Sequence, residues 1–274
     1  MNSFSFEVKK ELSEINNLSK KNLVKAELKG YLATNSSNEF ITSNQYNINR
    51  YSKLLNNVEE NDFSISIKGN NFVIKTKKQI CINQEINSED EKKAFIRGAF
   101  LASGTITNPE NIYHLSITFE KEESANMVLD LLAEKEIKSK IIMSDKKYTL
   151  YIKDGENISK FLALIGANKS VLKFEDTRVV KEVRNKVNRI VNCETANLNK
   201  TVNSAVKQIE DIKLIKSMKR FEELSEKEKK LANLRIKNPE ASLIELGSML
   251  NPPLSKSGVS HRMKKIEEFA NKLK

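Results

Sequence analysis

The C-terminal part of the sequence carries side chains whose types suit contact with an anionic polymer. One short segment contains Lys256, Ser257, Ser260, His261, Arg262, Lys264 and Lys265. Lysine and arginine neutralise phosphates, and all of these residue types form hydrogen bonds with phosphate oxygens or base edges. The segment therefore predicts binding to double-stranded DNA. Its position on a predicted helix determines which side chains can contact bases and which can contact phosphates.

If residues 256–273 form a helix, these side chains lie on different faces of it. Its apolar stripe consists of Val259, Met263, Ile266, Ala270 and Leu273. At about 100° per residue, the opposite face holds Ser257, His261 and Lys264, flanked by Ser260 and Lys265. These polar residues lie in the first turns, where recognition helices contact base edges. Arg262 lies at the edge of the stripe and Lys256 at the helix start, so both are better placed to bind phosphates.

The segment before this helix predicts a helix-turn-helix unit over residues 241–273. Ser242 and Glu245 form a capping box that would begin a short helix, and Asn251-Pro252-Pro253 would end it. A short helix, a break and a basic helix make the helix-turn-helix pattern. The alternative is a plain three-helix bundle with a lysine-rich exterior. The long turn leaves the exact base-reading positions open.

A second group of cations lies upstream, on a predicted long helix. No glycine or proline occurs between Gly166 and Pro239, so this connection should be helical. Its candidate phosphate contacts are Arg178, Arg184, Arg189 and Lys200. Asparagines and threonines are frequent between residues 188 and 203, although they are poor helix formers. This polar strip could bind phosphates or a partner domain, or it could be a solvated helix surface.

The charge distribution also favours nucleic acid. The net charge is +11. Residues 186–274 carry 19 Lys+Arg against 11 Asp+Glu, which leaves 11 − 8 = +3 for the first 185 residues. Six of the eight arginines lie between Arg178 and Arg262, and arginine suits bidentate phosphate contacts. The alternative is a solvated lysine-rich surface that reflects an AT-rich genome.

Several classes of function are not supported by the composition. Two cysteines and two histidines, far apart in the chain, make neither a disulfide framework nor a Cys/His metal site, and no cofactor or small-molecule substrate is evident. No apolar run of about 18 residues predicts a membrane span. The first residues lack the apolar core of a signal peptide. We therefore expect a cytoplasmic, nucleoid-associated protein.

The N-terminal half contains two related helices. Ser88 and Glu91 form a capping box that begins one of them, and Gly98 lies in its middle. The segment around Gly30 matches the segment around Gly98. A glycine in mid-helix costs about 1 kcal/mol relative to alanine, so each glycine needs a packing reason. We predict that the two helices pack backbone to backbone through Gly30 and Gly98.

The segments after these helices repeat as well. Each helix is followed by a strand, a helix and a hairpin, which predicts an internal duplication with one repeat at about 4–76 and the other at about 88–153. The hairpin turns are expected at Gly69 and Asp145. The second repeat contains a longer loop, predicted over Thr105–Ile112. A strand from Tyr113 should follow it.

This arrangement resembles the LAGLIDADG homing endonucleases, in which two such helices pack at a pseudo-twofold axis between DNA-binding sheets. In those enzymes an acid at the end of each helix binds the catalytic metals. The matching positions here hold Asn35 and Ser103, which supply no anionic ligand. The resemblance thus implies a DNA-binding fold that has lost nuclease activity. We therefore expect that the protein is not an enzyme.

The C-terminal half resembles the WhiA family of bacterial regulators. The matching motifs include V-N-R-I-V-N-C-E-T-A-N-L-N-K-T from Val187, N-P-E-A-S-L-I-E-L-G from Asn238 and P-P-L-S-K-S-G-V-S-H-R from Pro252. The fold class that follows is α+β: a duplicated LAGLIDADG homing-endonuclease-like domain over residues 1–185 with connecting helices at its end, then an all-α helix-turn-helix domain over residues 186–274.

The WhiA resemblance implies a DNA-binding transcriptional regulator of cell division, chromosome segregation and, in sporulating bacteria, sporulation genes. RNA polymerase or a WhiB-like protein is the protein partner that this resemblance suggests. The alternative is a protein–protein scaffold of the division or nucleoid apparatus that binds DNA weakly and without sequence preference. Salt-dependent DNA affinity distinguishes the two.

Overall fold

The computed structural model describes residues 3–35, 37–60 and 62–274. The chain forms two compact units, Met1–Val183 and Arg184–Lys274, here called unit one and unit two. One 50-residue helix contributes residues to both units.

Unit one combines helices with two antiparallel sheets. Its helices are α1 (Phe4–Ser13), α2 (Lys21–Thr34), α3 (Gln45–Asn57), α4 (Glu89–Ser103), α5 (Glu122–Ala133), α6 (Gly155–Ile165) and the first part of α7 (Asn168–Ser217). Its strands are β1 (Glu39–Thr42), β2 (Phe63–Lys68), β3 (Asn71–Thr76), β4 (Thr105–Ile106), β5 (Leu115–Phe119), β6 (Lys140–Ser144) and β7 (Lys147–Ile152). The sheet orders are β1-β3-β2 and β4-β5-β7-β6.

The internal duplication is confirmed. After α2 the chain forms β1, α3 and the β2–β3 hairpin, and after α4 it forms β5, α5 and the β6–β7 hairpin. The turns lie at the predicted positions. Gly69 has a φ of 60°, and Asp145 and Lys146 have φ values of 49° and 60°, which suits two-residue hairpin turns.

The predicted loop over Thr105–Ile112 is wrong at its start, and the predicted strand from Tyr113 begins two residues later. Thr105 and Ile106 form β4, which pairs with Ser116 and Leu115 of β5. The physical reason is tertiary: Ile106 is buried in the core, and its backbone pairs with the edge of a sheet that the local sequence does not reveal.

Helices α2 and α4 pack closely at their glycines. A Cβ built at Gly98 would collide with the Glu27 carbonyl oxygen and would lie 3.2 Å from the Tyr31 nitrogen. A Cβ built at Gly30 would collide with the Phe95 carbonyl oxygen and would lie 2.8 Å from the Ala99 nitrogen. The two backbones are thus in direct contact, an arrangement that any side chain at these positions would prevent.

A buried ionic network lies beside this contact, and the sequence interpretation missed it. The Glu27 carboxylate accepts hydrogen bonds from Arg50 Nε at 2.8 Å and from Arg97 Nη2 at 2.9 Å. All three side chains are buried. Burial raises the pKa of Glu27, but the hydrogen bonds and charges of Arg50 and Arg97 outweigh burial and hold that pKa below its usual range. One carboxylate therefore joins α2, α3 and α4.

Unit two is helical. It contains the rest of α7, a short 3₁₀ turn (Phe221–Glu223), α8 (Glu226–Lys237), α9 (Leu243–Ser248) and α10 (Lys256–Asn271). Capping boxes at Ser88 and Ser242 begin α4 and α9, which confirms those two predicted helix starts, and a third capping box at Ser225 begins α8. The core of unit two joins α7 to α8–α10 through side chains that include Ile212, Ile215, Leu231, Leu246, Val259 and Met263.

In the part of the chain that the structure describes, no helix has both the length and the apolar character needed to cross a membrane.

Candidate nucleic-acid interface

Helix α10 is the central element of the candidate interface. Ser255 caps its first turn by accepting a hydrogen bond from the Gly258 nitrogen at 3.3 Å. Four residues of the predicted stripe are buried, namely Val259, Met263, Ile266 and Ala270. The fifth, Leu273, lies beyond the helix and is half-buried. This stripe packs on α8 and α9 and so directs the opposite face of α10 to solvent.

The residues predicted to contact DNA lie mostly on that solvent face. Lys256, Ser257, Ser260, His261, Lys264 and Lys265 are exposed, whereas Arg262 is half-buried. Residues 256–265 contain no aspartate or glutamate. Lys264 Nζ lies 4.0 Å from the Glu268 carboxylate in a solvent-exposed pair. Because such a pair contributes little, the positive charge of this face is left for an external partner.

The turn between α9 and α10 is held by a glycine. Leu254 donates its backbone N–H to the Gly247 carbonyl at 3.0 Å. A Cβ at Gly247 would collide with the Leu254 carbonyl oxygen and would lie 3.2 Å from Val259 Cγ2. The returning chain therefore lies directly against α9, and this contact sets where α10 begins.

The four candidate phosphate contacts on α7 differ in their surroundings. Arg178 belongs to unit one and pairs with Glu175 at 3.0 Å and with Glu182 at 3.8 Å. Arg184, Arg189 and Lys200 are exposed. Lys200 and Lys256, from α7 and α10, line one cavity of unit two, which the sequence did not predict.

The argument from arginine distribution needs correction. Arg235 is 2% exposed and donates to the Gln208 side chain and the Ala241 carbonyl. Arg220 pairs with Glu223. Both arginines also make contacts within the chain, because helix packing and helix ends use planar guanidinium groups. Arginine enrichment in a segment is thus a weaker sign of phosphate binding than we expected.

Asn35 and Ser103 lie at the ends of α2 and α4 and line the same cavity of about 230 Å³. Asn35 Oδ1 accepts a hydrogen bond from the Ser37 nitrogen at 2.8 Å. Ser103 Oγ donates to the Thr118 carbonyl at 2.7 Å and accepts from the Thr118 nitrogen at 3.1 Å. Both side chains therefore bind the local backbone. Among the described residues no cluster of three or more His, Cys, Asp or Glu side chains could hold a metal ion.

Two family models match the chain. The model of the WhiA LAGLIDADG-like domain matches residues 92–184, and the model of the WhiA C-terminal helix-turn-helix domain matches residues 187–270. The chain belongs to the WhiA family. The predicted fold class is therefore confirmed: a LAGLIDADG-like domain followed by a helix-turn-helix domain.

Relatives and solved structures agree with this assignment. A probable cell division protein WhiA of Clostridium beijerinckii is 48% identical over 186 residues, which is 68% of this chain and 59% of that protein. The corresponding protein of Clostridium acetobutylicum is 46% identical over 189 residues, or 69% of this chain and 60% of that protein. The matched region thus spans about three-fifths of these relatives.

The full-length WhiA crystal structure from Thermotoga maritima matches with a TM-score of 0.63 and 28% identity, and it covers 99% of both chains. The isolated N-terminal LAGLIDADG domain of WhiA matches with a TM-score of 0.55 and 24% identity, and it covers 61% of this chain and 94% of that one. The second match indicates the fold of unit one.

Proposed function

We propose that this WhiA-family protein is a DNA-binding transcriptional regulator that reads DNA with the exposed face of α10. The observation that carries the proposal is the contrast between the two faces of this helix. One face is buried in the core of unit two, and the other presents cations, serines and a histidine without an acid in residues 256–265. A recognition helix needs this combination to enter the major groove.

The individual roles follow from position on the helix. Ser257, His261 and Lys264 point away from the buried stripe and would contact base edges, with Ser260 and Lys265 beside them. Lys256 begins the helix and Arg262 is half-buried at the edge of the stripe. These two would contact the phosphates that flank the groove.

The proposal includes the loss of nuclease activity in unit one. Asn35 and Ser103 are neutral and are hydrogen-bonded to nearby backbone groups. Two-metal cleavage of a phosphodiester requires anionic oxygen ligands on the metal ions. The protein would therefore bind DNA without cutting it.

The biological role that we propose is regulation of cell division and chromosome segregation and, in sporulating bacteria, of sporulation genes. The names of the Clostridium relatives support the division role. The regulator would occupy the nucleoid and would act on RNA polymerase, directly or together with a WhiB-like protein.

The test is DNA affinity of the full chain as a function of salt, together with a genome-wide map of DNA occupancy. A regulator should give a steep salt dependence and discrete occupied sites. Weak, sequence-independent binding with no discrete sites would instead support a scaffold of the division or nucleoid apparatus. That result would overturn the proposal.

A further inference from the structure

The cavity that Lys200 and Lys256 share combines cationic and polar side chains with the apolar side chains Ala205, Leu243 and Ile244. Its volume is about 230 Å³, several times the roughly 30 Å³ that a water molecule occupies in the liquid. Its polar lining includes Lys200, Gln208, Arg235, Ser242 and Lys256, and no acid among the described residues lines it. All belong to unit two.

Arg235 places a buried positive charge in the wall of this cavity. Its side chain is 2% exposed, and no carboxylate within the described ranges lies within 4.0 Å of its guanidinium. Nε donates to Gln208 Oε1 at 3.0 Å and Nη1 donates to the Ala241 carbonyl at 2.6 Å. Nη2 has no acceptor among the described residues. Buried charges are normally paired, because an unpaired one is costly.

The Gln208 amide and the Ser242 hydroxyl can also donate hydrogen bonds to a group in the cavity. Because Gln208 Oε1 accepts from Arg235, the Gln208 amide has only its N–H donors left. The Ser242 hydroxyl accepts from the Glu245 nitrogen at 3.3 Å, so its own proton can be donated elsewhere. The Glu245 carboxylate accepts from the Ser242 nitrogen at 2.7 Å and is not part of the lining. Two exposed lysines complete the set.

We propose that this cavity binds one phosphate group, which in the DNA complex is a backbone phosphate beside the groove that α10 enters. The buried guanidinium of Arg235 provides a fixed positive charge, and Lys200 and Lys256 close on the group from two helices. A backbone phosphodiester offers only acceptors and a negative charge, so it complements the three cations and the donors in this cavity. The DNA half of this proposal rests on the proposed function, and the phosphate half does not.

The decisive variant is Gln208→Glu. It introduces a carboxylate within hydrogen-bond distance of Arg235, so the protein should melt at or above the wild-type temperature while the cavity loses its affinity for anions. Lys200→Gln removes one of the two lysines without touching the buried group. Lys213→Gln is the matched control, since Lys213 is an exposed α7 lysine outside the cavity.

The first measurement uses inorganic phosphate and pyrophosphate as probes on the full chain. Either probe should raise the melting temperature of the wild type and of Lys213→Gln above that in chloride at equal ionic strength. The shift should shrink in Lys200→Gln and vanish in Gln208→Glu. An equal shift in all four proteins, or no shift in the wild type, overturns the site.

The second measurement uses duplex DNA at several salt concentrations. Losing one phosphate contact should lower the salt slope by about one unit and should reduce the affinity change between 50 and 200 mM salt by about threefold. If phosphate protects the wild type but Gln208→Glu leaves the salt slope unchanged, the site holds a free phosphorylated ligand and the DNA half is wrong.

Failure of this site and failure of the proposed function give different results. If phosphate does not protect the wild type and Gln208→Glu binds DNA normally, the phosphate site is wrong and the proposed function stands. If phosphate protects the wild type but the wild type does not bind DNA, the proposed function is wrong and the phosphate site stands.

Discussion

The buried arginines of unit one and unit two differ in their hydrogen-bond partners. In unit one, Arg50 and Arg97 both bind the Glu27 carboxylate, so the charges are balanced inside the fold. In unit two, Arg235 is equally buried but binds an amide and a backbone carbonyl, beside a cavity with two more cations.

This difference indicates what each unit does with charge. A charge that an internal acid neutralises fixes the positions of helices, and removing the acid destabilises the fold. A charge without an internal acid, near an exposed cationic face, favours an external anion. Unit one thus resembles a framework, whereas unit two has the electrostatics of a binding domain.

The largest effect should come from Glu27→Gln. The substitution leaves two buried guanidinium groups without their carboxylate, which costs about 3–5 kcal/mol for a buried pair. The free energy of unfolding from denaturant titration measures it. Glu89→Gln is the control, because Glu89 is an exposed acid that pairs with Lys135 on the surface, and it should melt close to the wild type. A wild-type stability for Glu27→Gln would contradict the framework interpretation.

The pH dependence of unit one should follow from the same carboxylate. The pKa of Glu27 is lower in the folded state than in the unfolded chain, so its contribution is present above the unfolded value of about 4.3. The contribution is lost as pH falls through the folded value. The difference in melting temperature between the wild type and Glu27→Gln should therefore be smallest at the lowest pH. A constant gap across the acid range would argue against the linkage.

A second large effect is expected at the helix contact. Gly98→Leu or Gly30→Leu would force α2 and α4 apart, because a Cβ at either position collides with a backbone carbonyl. Overpacking typically costs about 1–3 kcal/mol, and a backbone contact should lie at the upper end. Thermal melts measure this loss. Lys25→Leu adds the same side chain on the exposed face of α2 and should have little effect.

In unit two we expect a loss of affinity and not of stability. His261→Ala and Lys264→Ala should each cost about 1–3 kcal/mol of binding at a specific site and relax specificity at one base position. Their melting temperatures should stay near the wild-type value, since both side chains are exposed. Lys272→Ala, a cation beyond the last turn of α10, is the control. Wild-type binding by both variants would move the base-reading role to α7.

A smaller effect is expected from Arg262→Ala. A phosphate contact carries no sequence information, so binding to specific and random DNA should weaken alike. The salt slope should fall by about one unit. Titrations on both DNAs at several salt concentrations test this. A loss confined to one sequence would make Arg262 a base reader.

The smallest effect is expected for cleavage. The wild type should not nick plasmid DNA with Mg²⁺ or Mn²⁺. Asn35→Asp with Ser103→Asp should raise metal affinity, measured by calorimetry, without necessarily producing cleavage, because further groups around a metal site also matter. Nicking by the wild type that a chelator abolishes, and that a control preparation lacks, would contradict the proposal.

Local sequence signals were sufficient for most of the elements. Serine–glutamate capping boxes predicted the starts of α4 and α9, and the repeated glycine context predicted a duplicated domain. Periodicity predicted which face of α10 is buried, because a 3.6-residue repeat is a local property of the chain. The two-residue strand β4 was missed, since its pairing partner decides its existence.

Long-range charge pairing could not be predicted in this way. Glu27 lies one turn before Gly30 on the packing face of α2, and Arg97 is next to Gly98. An acid and an arginine beside two packing glycines were a signal that we did not use. Arg50 carried no comparable signal, because only the folding of α3 brings it to Glu27.

The family, the two kinds of domain and the polarity of α10 could all be derived from the sequence, because they depend on short segments and local periodicity. Only the packing of the helices decided which arginines are buried and which cations share a cavity. The reason is physical: the energy of a charge depends on burial and on neighbours that are distant in sequence. Lys200, Arg235 and Lys256 acquire a common role only when α7, α8 and α10 pack together.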